Sequence, residues 1–492
     1  MSHVATRTID AKRLEANARL DPTKKSKLGQ FMTPSTIAEF MASLFTRWPS
    51  DTRLLDPGAG IGSLTDAFAE QFFKKASIKA QLHIATYEIE PVLLTYLREH
   101  LEEIRRRGAS ENRQVTYEIM ERDFITEATF GLGFGADRRI SHAILNPPYK
   151  KINTNSEHRK SLSRIGIETV NLYSAFFGLA VELTEQNGEI VAIIPRSFCN
   201  GTYFRPFREW LLARAAIRHL HIFESRSKAF KHDEVLQENI IIYLVRDAKQ
   251  GEVVVSTSHD QTFADYKERR FPFSAIVKPD DVERFIHIPT IEVNGGLSLC
   301  SHTLQELGLE VSTGPVVDFR VRSHWRKDPG EGCVPLLYPH HFANGGLNYP
   351  AEHKKPNALA VNEETRKWLM PQGCYTLVKR FSAKEERRRI FAFVLDPKQL
   401  QFDFYGFENH FNVLHSQKQG IPADLAHGLA LFLNSTLVDQ QFRLFSGHTQ
   451  VNATDLRNMK FPSRTQLIKF GKWARKQQKL TQDAIDAFIE SQ

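Results

Sequence analysis

The apolar run Ala143-Ile144-Leu145 is followed at once by Asn146, two prolines and an aromatic, Tyr149. Neither proline has an N–H to give a sheet ladder and both have a fixed φ, so a strand that reaches this point must stop. The run therefore reads as a buried strand with a rigid turn at its carboxyl end. The turn sets the direction of two acceptors, the Asn146 side chain and the Pro147 carbonyl, and places the flat face of Tyr149 beside them. Such a cup suits a planar ring bearing an amino group. Asn-Pro is also common chemistry for an ordinary strand-ending turn, and these residues alone allow both readings.

The stretches before and after it fix the kind of sheet. Arg53-Leu54-Leu55 reads as a strand, Asp56-Pro57-Gly58-Ala59-Gly60-Ile61-Gly62 as a tight turn, and 63–72 as a helix. Strand, glycine turn and helix either let a ligand approach the backbone, with Asp56 holding a cationic or amino-bearing group, or make a plain connection. A second strand over 83–87 ends in Glu88 and Glu90 before a helix over 92–107. An acidic residue about 20 residues past such glycines commonly binds ribose hydroxyls. A third strand, 115–119, ends at Asp123-Phe124. There the carboxylate serves as a turn residue or accepts from an adenine amino group while the ring packs on the base. Thr33 or Ser35 is expected to cap a helix over 36–45. Beyond Tyr149, 150–168 reads as a polar loop, 172–183 and 205–215 as helices, and 188–195, 219–223 and 240–245 as strands. Phe230 lies between the last two strands, among Lys228, Lys231 and His232.

Seven strands alternating with helices over 28–245 predict an α/β, Rossmann-like fold: a mostly parallel sheet covered on both faces, with ligands at its carboxyl edge. The expected division is an N-terminal arm over 1–27, a catalytic domain over 28–249, and a mixed α+β domain over 250–492 that closes with helices. With 492 residues the chain is long enough for such separate cores. No apolar run approaches the roughly 20 residues of a membrane helix. The four cysteines lie far apart with no metal-ligand spacing, so no metal site and a reduced, cytoplasmic protein are expected. The net charge of +8 permits a polyanionic partner, but the excess is spread out, so folding must assemble any nucleic-acid surface. After residue 250 two stretches stand out. Lys379-Arg380-Phe381 with Arg387, Arg388 and Arg389 is basic and is expected to supply phosphate contacts. The stretch 447–457 is rich in amides, which read base edges.

Taken in order, Thr33-Pro34, Asp56 to Gly60, Glu88, Asp123-Phe124 and Asn146 to Tyr149 resemble the motif series of the gamma-class amino-methyltransferases that act on adenine in DNA. This family includes the Taq-type enzyme of restriction–modification systems, and the resemblance covers residues 28 to about 245. It implies S-adenosylmethionine as cofactor, held by Thr33, Asp56, Pro57, Gly58, Ala59, Gly60, Glu88, Asp123, Phe124 and Pro148. It implies catalysis at the adenine amine by Asn146, Pro147 and Tyr149, with Phe230 as the stacking position for a flipped base. Double-stranded DNA is the implied partner, and 250–492 the implied target-recognition domain. A cognate restriction endonuclease is expected on a separate chain, because 27 residues are too few for a nuclease domain and no carboxylate–Lys nuclease cluster follows. Methyltransferases acting on protein glutamine or ribosomal guanine share Asn-Pro-Pro-Tyr but lack a second domain of this size. A DNA-binding module with an inactive catalytic half would have no need of an intact Asn146 and Glu88.

Overall fold

Nine strands of the first half of the chain form one sheet: β1 Asp51–Pro57, β2 Gln81–Tyr87, β3 Val115–Met120, β4 Ile140–Leu145, β5 Thr184–Pro195, β6 Ala215–Phe223, β7 Asn239–Arg246, β8 Val253–Ser258 and β9 Lys267–Phe271. They are ordered β3-β2-β1-β4-β5-β7-β6-β8-β9. The computed structural model describes residues 2–20, 32–133, 139–153, 155–223, 239–289, 300–382, 386, 388–445 and 450–492. β7 runs antiparallel between β5 and β6, and β9 runs antiparallel to β8; all other neighbours are parallel.

The longer helices described in this unit are α1 Ser2–Arg19, α2 Ser35–Ser43, α3 Ser63–Lys75, α4 Pro91–Ser110, α5 Phe124–Gly133, α6 Glu157–Arg164, α7 Leu172–Leu183 and α8 Arg205–Leu212. The period of two along each strand decides which helices cover which face. Leu54, Ile84, Ile144, Val191, Ile193 and Ile241 pack with α2, α3 and α4. Their neighbours Leu55, Ala143, Leu145, Ile190, Ala192 and Ile194 pack with α5, α7 and α8 on the other face. Each such leucine, isoleucine or valine contributes roughly 1.5–3 kcal/mol by leaving water.

The sheet has two more strands than the seven expected, and the boundary expected at residue 250 falls inside it. β8 follows that boundary and pairs with β6 over His219↔Val254 to Phe223↔Ser258, burying Val253 and Val255. The first unit accordingly runs to Ile291 and the second is Glu292–Gln492. The stretch 150–168 is not all loop. Ser156 accepts from the Arg159 N–H at 3.3 Å and starts α6, which buries only Leu162 and so carries no apolar period. Helix α2 begins after Pro34 without a side-chain cap, because Ser35 donates to Asp10 and Thr33 is bonded elsewhere. Within the N-terminal arm the described residues form α1, whose Ile9 and Ala16, with Leu20 beyond it, pack with Met32, Ile61, Leu93 and Tyr96.

In the second unit, Glu310–Thr313, Phe411–His415, Tyr375–Lys379 and Ala392–Leu395 form a four-stranded antiparallel sheet. Trp325–Arg326, Ala358–Ala360, Cys333–Leu337, Phe404–Phe407 and Leu369–Pro371 form a mixed sheet of five. Arg389, expected at a phosphate, is wholly buried: its N–H donates to Asp439 at 2.5 Å and its guanidinium lies over Phe442. It is a core residue, and Arg387 lies outside the described residues. The helices Ala423–Leu433 and Arg464–Ala474 cross in near backbone contact. A Cβ on Gly471 would lie 1.6 Å from the Asp424 carbonyl, and one on Gly428 1.8 Å from that of Leu467. Gly471→Ala must therefore push two helices apart. It is expected to cost about 1–3 kcal/mol and to lower the unfolding midpoint of the second unit by several degrees in calorimetry. An unchanged midpoint would mean the crossing is looser than drawn.

Candidate active site

The carboxyl ends of β1 to β4 surround a cavity. It sits where the strand order reverses between β1 and β4, the position at which open α/β sheets take ligands. Gly58, Ala59 and Gly60 line one side. The N–H groups of Gly58 and Ala59 donate to the Tyr87 carbonyl at 2.8 and 2.9 Å, which ties the turn to β2. Gly58 (φ 78°) and Gly60 (φ 60°) lie in the left-handed region, where any other L-residue is strained by roughly 1–2 kcal/mol.

Glu88 lies at the end of β2 with 5% exposure. Its carboxylate accepts from the N–H of Gly60 at 2.9 Å and from those of Ile89 and Glu90 at 2.8 Å each. Burial raises its pKa, against the pull of the three N–H donors. About four acceptor positions exist on a carboxylate, so one remains for a ligand hydroxyl. Glu88 is thus both a brace for the glycine turn and a wall of the cavity. Ile89, 53% exposed, joins Phe124, Pro148 and Phe176 as apolar lining suited to a flat base. Asp123 takes the turn role: Oδ1 accepts from the N–H and hydroxyl of Thr126 at 2.8 Å, starting α5, and lies 3.0 Å from His158 Nε2.

At the end of β4 the Asn146 amide is held at both ends. Its Nδ2 donates to Thr33 Oγ1 at 3.0 Å, and its Oδ1 accepts from the Tyr149 hydroxyl at 3.0 Å. The Tyr149 hydroxyl also lies 3.3 Å from the Ile193 carbonyl. Burial pushes the Tyr149 phenol far above its ordinary pKa, so it stays protonated and donates. Thr33 and Asn146 both line the cavity.

Residues 69–230 match the family model described as Eco57I restriction-modification methylase. The chain is 52% identical over 477 residues to the type II methyltransferase M.BsuBI of Bacillus subtilis, covering 95% of this chain and 93% of that protein. It is 43% identical over 473 residues to the type II methyltransferase M.PstI of Providencia stuartii, covering 93% and 92%. The chain belongs to the type II DNA methyltransferases. Its fold is shared with DrdV, solved as a complex with DNA, at a TM-score of 0.51 and 13% identity, covering 96% of this chain and 60% of that one.

A DNA methyltransferase of this family takes its methyl group from S-adenosylmethionine, and the cavity fits that molecule. A carboxylate stands ready for ribose hydroxyls, apolar side chains for a purine, and a glycine turn for close approach of the amino-acid part. Of the residues that the sequence assigned to the cofactor, Thr33, Gly58, Ala59, Gly60, Glu88, Asp123, Phe124 and Pro148 all line the cavity. Asp56 does not. It is fully buried, accepts from the Thr65 hydroxyl at 2.7 Å, and burial pushes its carboxyl up to about 7. Pro57 is buried within β1 and is not a cavity residue either. Pro147 and Tyr149 stand outside the cavity lining, on the Asn146 side, and Phe230 lies outside the described residues. The methyltransferase also uses Met32, Ile61, Leu93, Arg122 and Phe176 as lining, which sequence reasoning missed. Ile89 could have been found, as an apolar residue between two glutamates at a strand end. Among the described residues, no helix is long and apolar enough to cross a membrane.

Proposed function

We propose that the protein methylates the exocyclic amine of adenine within a specific duplex sequence, after the base has been flipped out of the stack. The observation that carries this reading is the Asn146 amide, anchored between Thr33 and Tyr149 at the rim of the cofactor cavity. An exocyclic amine is a poor nucleophile because its lone pair is delocalised into the ring. Asn146 Oδ1 and the Pro147 carbonyl accept its two hydrogens, which favours a pyramidal nitrogen with its lone pair directed at the methyl group. S-adenosylmethionine supplies that methyl on an electron-poor sulfonium. The chain's own contributions are alignment and stabilisation of the charge that grows on nitrogen. Flipping the base costs a few kcal/mol. Stacking on an aromatic such as Tyr149, and on Phe230 if that residue takes the family's position, offsets about 1–3 kcal/mol of it. DNA digested to nucleosides after reaction with labelled cofactor should carry the label on N6 of adenine, and label on any other base would overturn the reading.

The second unit is proposed to choose the sequence, and a cognate endonuclease to be a separate cytoplasmic chain cutting the same site. Because β8 and β9 belong to the first sheet, a chimera should be joined near residue 292. Such a chimera is expected to methylate the donor's site, whereas one joined at 250 loses two strands of its own sheet and is expected to fold poorly. An active chimera joined at 292 that still marks the original site would place recognition in the first unit.

A further inference from the structure

Three segments that are far apart in sequence meet at one end of the four-stranded sheet of the second unit. The Arg380 N–H donates to the His410 carbonyl at 2.7 Å, and the Arg380 carbonyl accepts from Val451 at 2.8 Å. Phe381 pairs with Gln450 in an isolated bridge. The main chain therefore fixes the positions from which Arg380, Phe381, His410 and Gln450 project. Two of these segments were singled out in the sequence for different roles, one for phosphates and one for bases. The third, around His410, carried no signal there.

The side chains make a mixed polar and aromatic surface. The Arg380 guanidinium reaches Gln450 Oε1 at 3.4 Å and the Asn409 carbonyl at 3.3 Å. Both are long, weak bonds for a group with five donors. Its neighbours are otherwise occupied: Lys379 pairs with Glu386, Arg388 donates to Gln482, and Arg389 is buried. Arg380 has no carboxylate partner among the described residues. Beside it, Phe381 is 38% exposed and its ring centroid lies 4.7 Å from that of His410. The His410 Nδ1 and N–H are held by the fully buried Glu408 carboxylate at 2.5 and 2.8 Å, which leaves Nε2 as the ring's outward nitrogen.

We propose that Arg380, Gln450, Phe381 and His410 form the base-reading surface of the second unit, applied to the major groove of the target duplex. This rests on the reading that the second unit selects the site. The chemistry is that of direct readout: a guanidinium fork matches guanine O6 and N7, a carboxamide matches adenine N6 and N7, and the exposed ring pair gives apolar contact to flanking edges. Arg380 and Gln450 hold each other in the free protein and exchange that weak bond for base edges in the complex. Arg380 thereby moves from the phosphate-contact role its sequence suggested to a role in sequence choice.

The test uses full-length protein and a plasmid library of random sites, sequenced for modified bases after methylation. Arg380→Ala and Gln450→Ala are each expected to reduce the preference at one or two base pairs of the site roughly ten- to a hundredfold, with an unchanged dissociation constant for S-adenosylmethionine. Arg380→Lys and Gln450→Glu, which keep the bulk, should lose the same preference, because the fork or the amide is gone. A site preference unchanged in all four variants would overturn the proposal. So would an equal loss on every sequence with a salt dependence shallower by about one ion, the mark of a phosphate contact. The chimera joined at 292 separates the two levels. Donor specificity in the chimera with unchanged preference in the four variants removes this surface alone, whereas original specificity in the chimera removes the underlying reading.

Discussion

An Asn146→Ala variant is expected to keep S-adenosylmethionine bound and to lose methyl transfer by roughly 10²–10³-fold or more, the scale of removing one preorganised polar group from a transition state. The amide stands at the end of β4 with both ends bonded. Alanine removes the acceptor for the amine and also the bonds to Thr33 and the Tyr149 hydroxyl. The cofactor cavity loses one lining group of many, so affinity should change by about tenfold at most, the worth of one ordinary hydrogen bond. Single-turnover transfer of a labelled methyl group, set beside calorimetric cofactor binding, separates the two terms. Equal losses in both would show that Asn146 serves the cofactor. Asn146→Asp keeps two acceptor oxygens and is expected to retain more activity than the alanine variant.

Glu88→Ala should show the opposite division. The lost charge-assisted bond to a ribose hydroxyl is worth about 1.5–3 kcal/mol, which raises the cofactor dissociation constant roughly 10- to 150-fold. The same substitution leaves three N–H donors without an acceptor inside a buried turn, so the midpoint of unfolding should fall even without cofactor. Measuring that midpoint with and without saturating cofactor distinguishes the brace from the ligand contact: the brace shifts both curves, the ligand contact shrinks the gap between them. An unchanged dissociation constant would leave Glu88 as a brace only.

Much of the first unit was legible because the signals were local. Two prolines stop a strand wherever it pairs, and glycines at Gly58 and Gly60 permit a left-handed turn whatever lies around them. Continuous apolar runs mark β1, β4 and β5 as strands covered on both faces. Helix α6 was illegible for the same kind of reason: a polar helix with one buried residue has no period to read. Strand β6 was read at 219–223, but no local signal showed that β8 would pair with it, and that pairing moved the unit boundary from 250 to 291.

The site divides along the same line. Local chemistry set which residues end the strands, and so put Glu88, Asp123 and Asn146 at one edge of one sheet, because strand direction and turn chemistry are properties of short segments. What those side chains bond to depends on how the elements pack. Packing turned Thr33 from a helix cap into the partner of an amide 113 residues away, made Glu88 a brace for the glycine turn, and withdrew Asp56 from the cavity into the core. It likewise buried Arg389 and set Arg380 against Gln450. Such pairings depend on which face of which element meets which other. That is decided by packing across the whole unit, and a chain's local pattern holds no record of it.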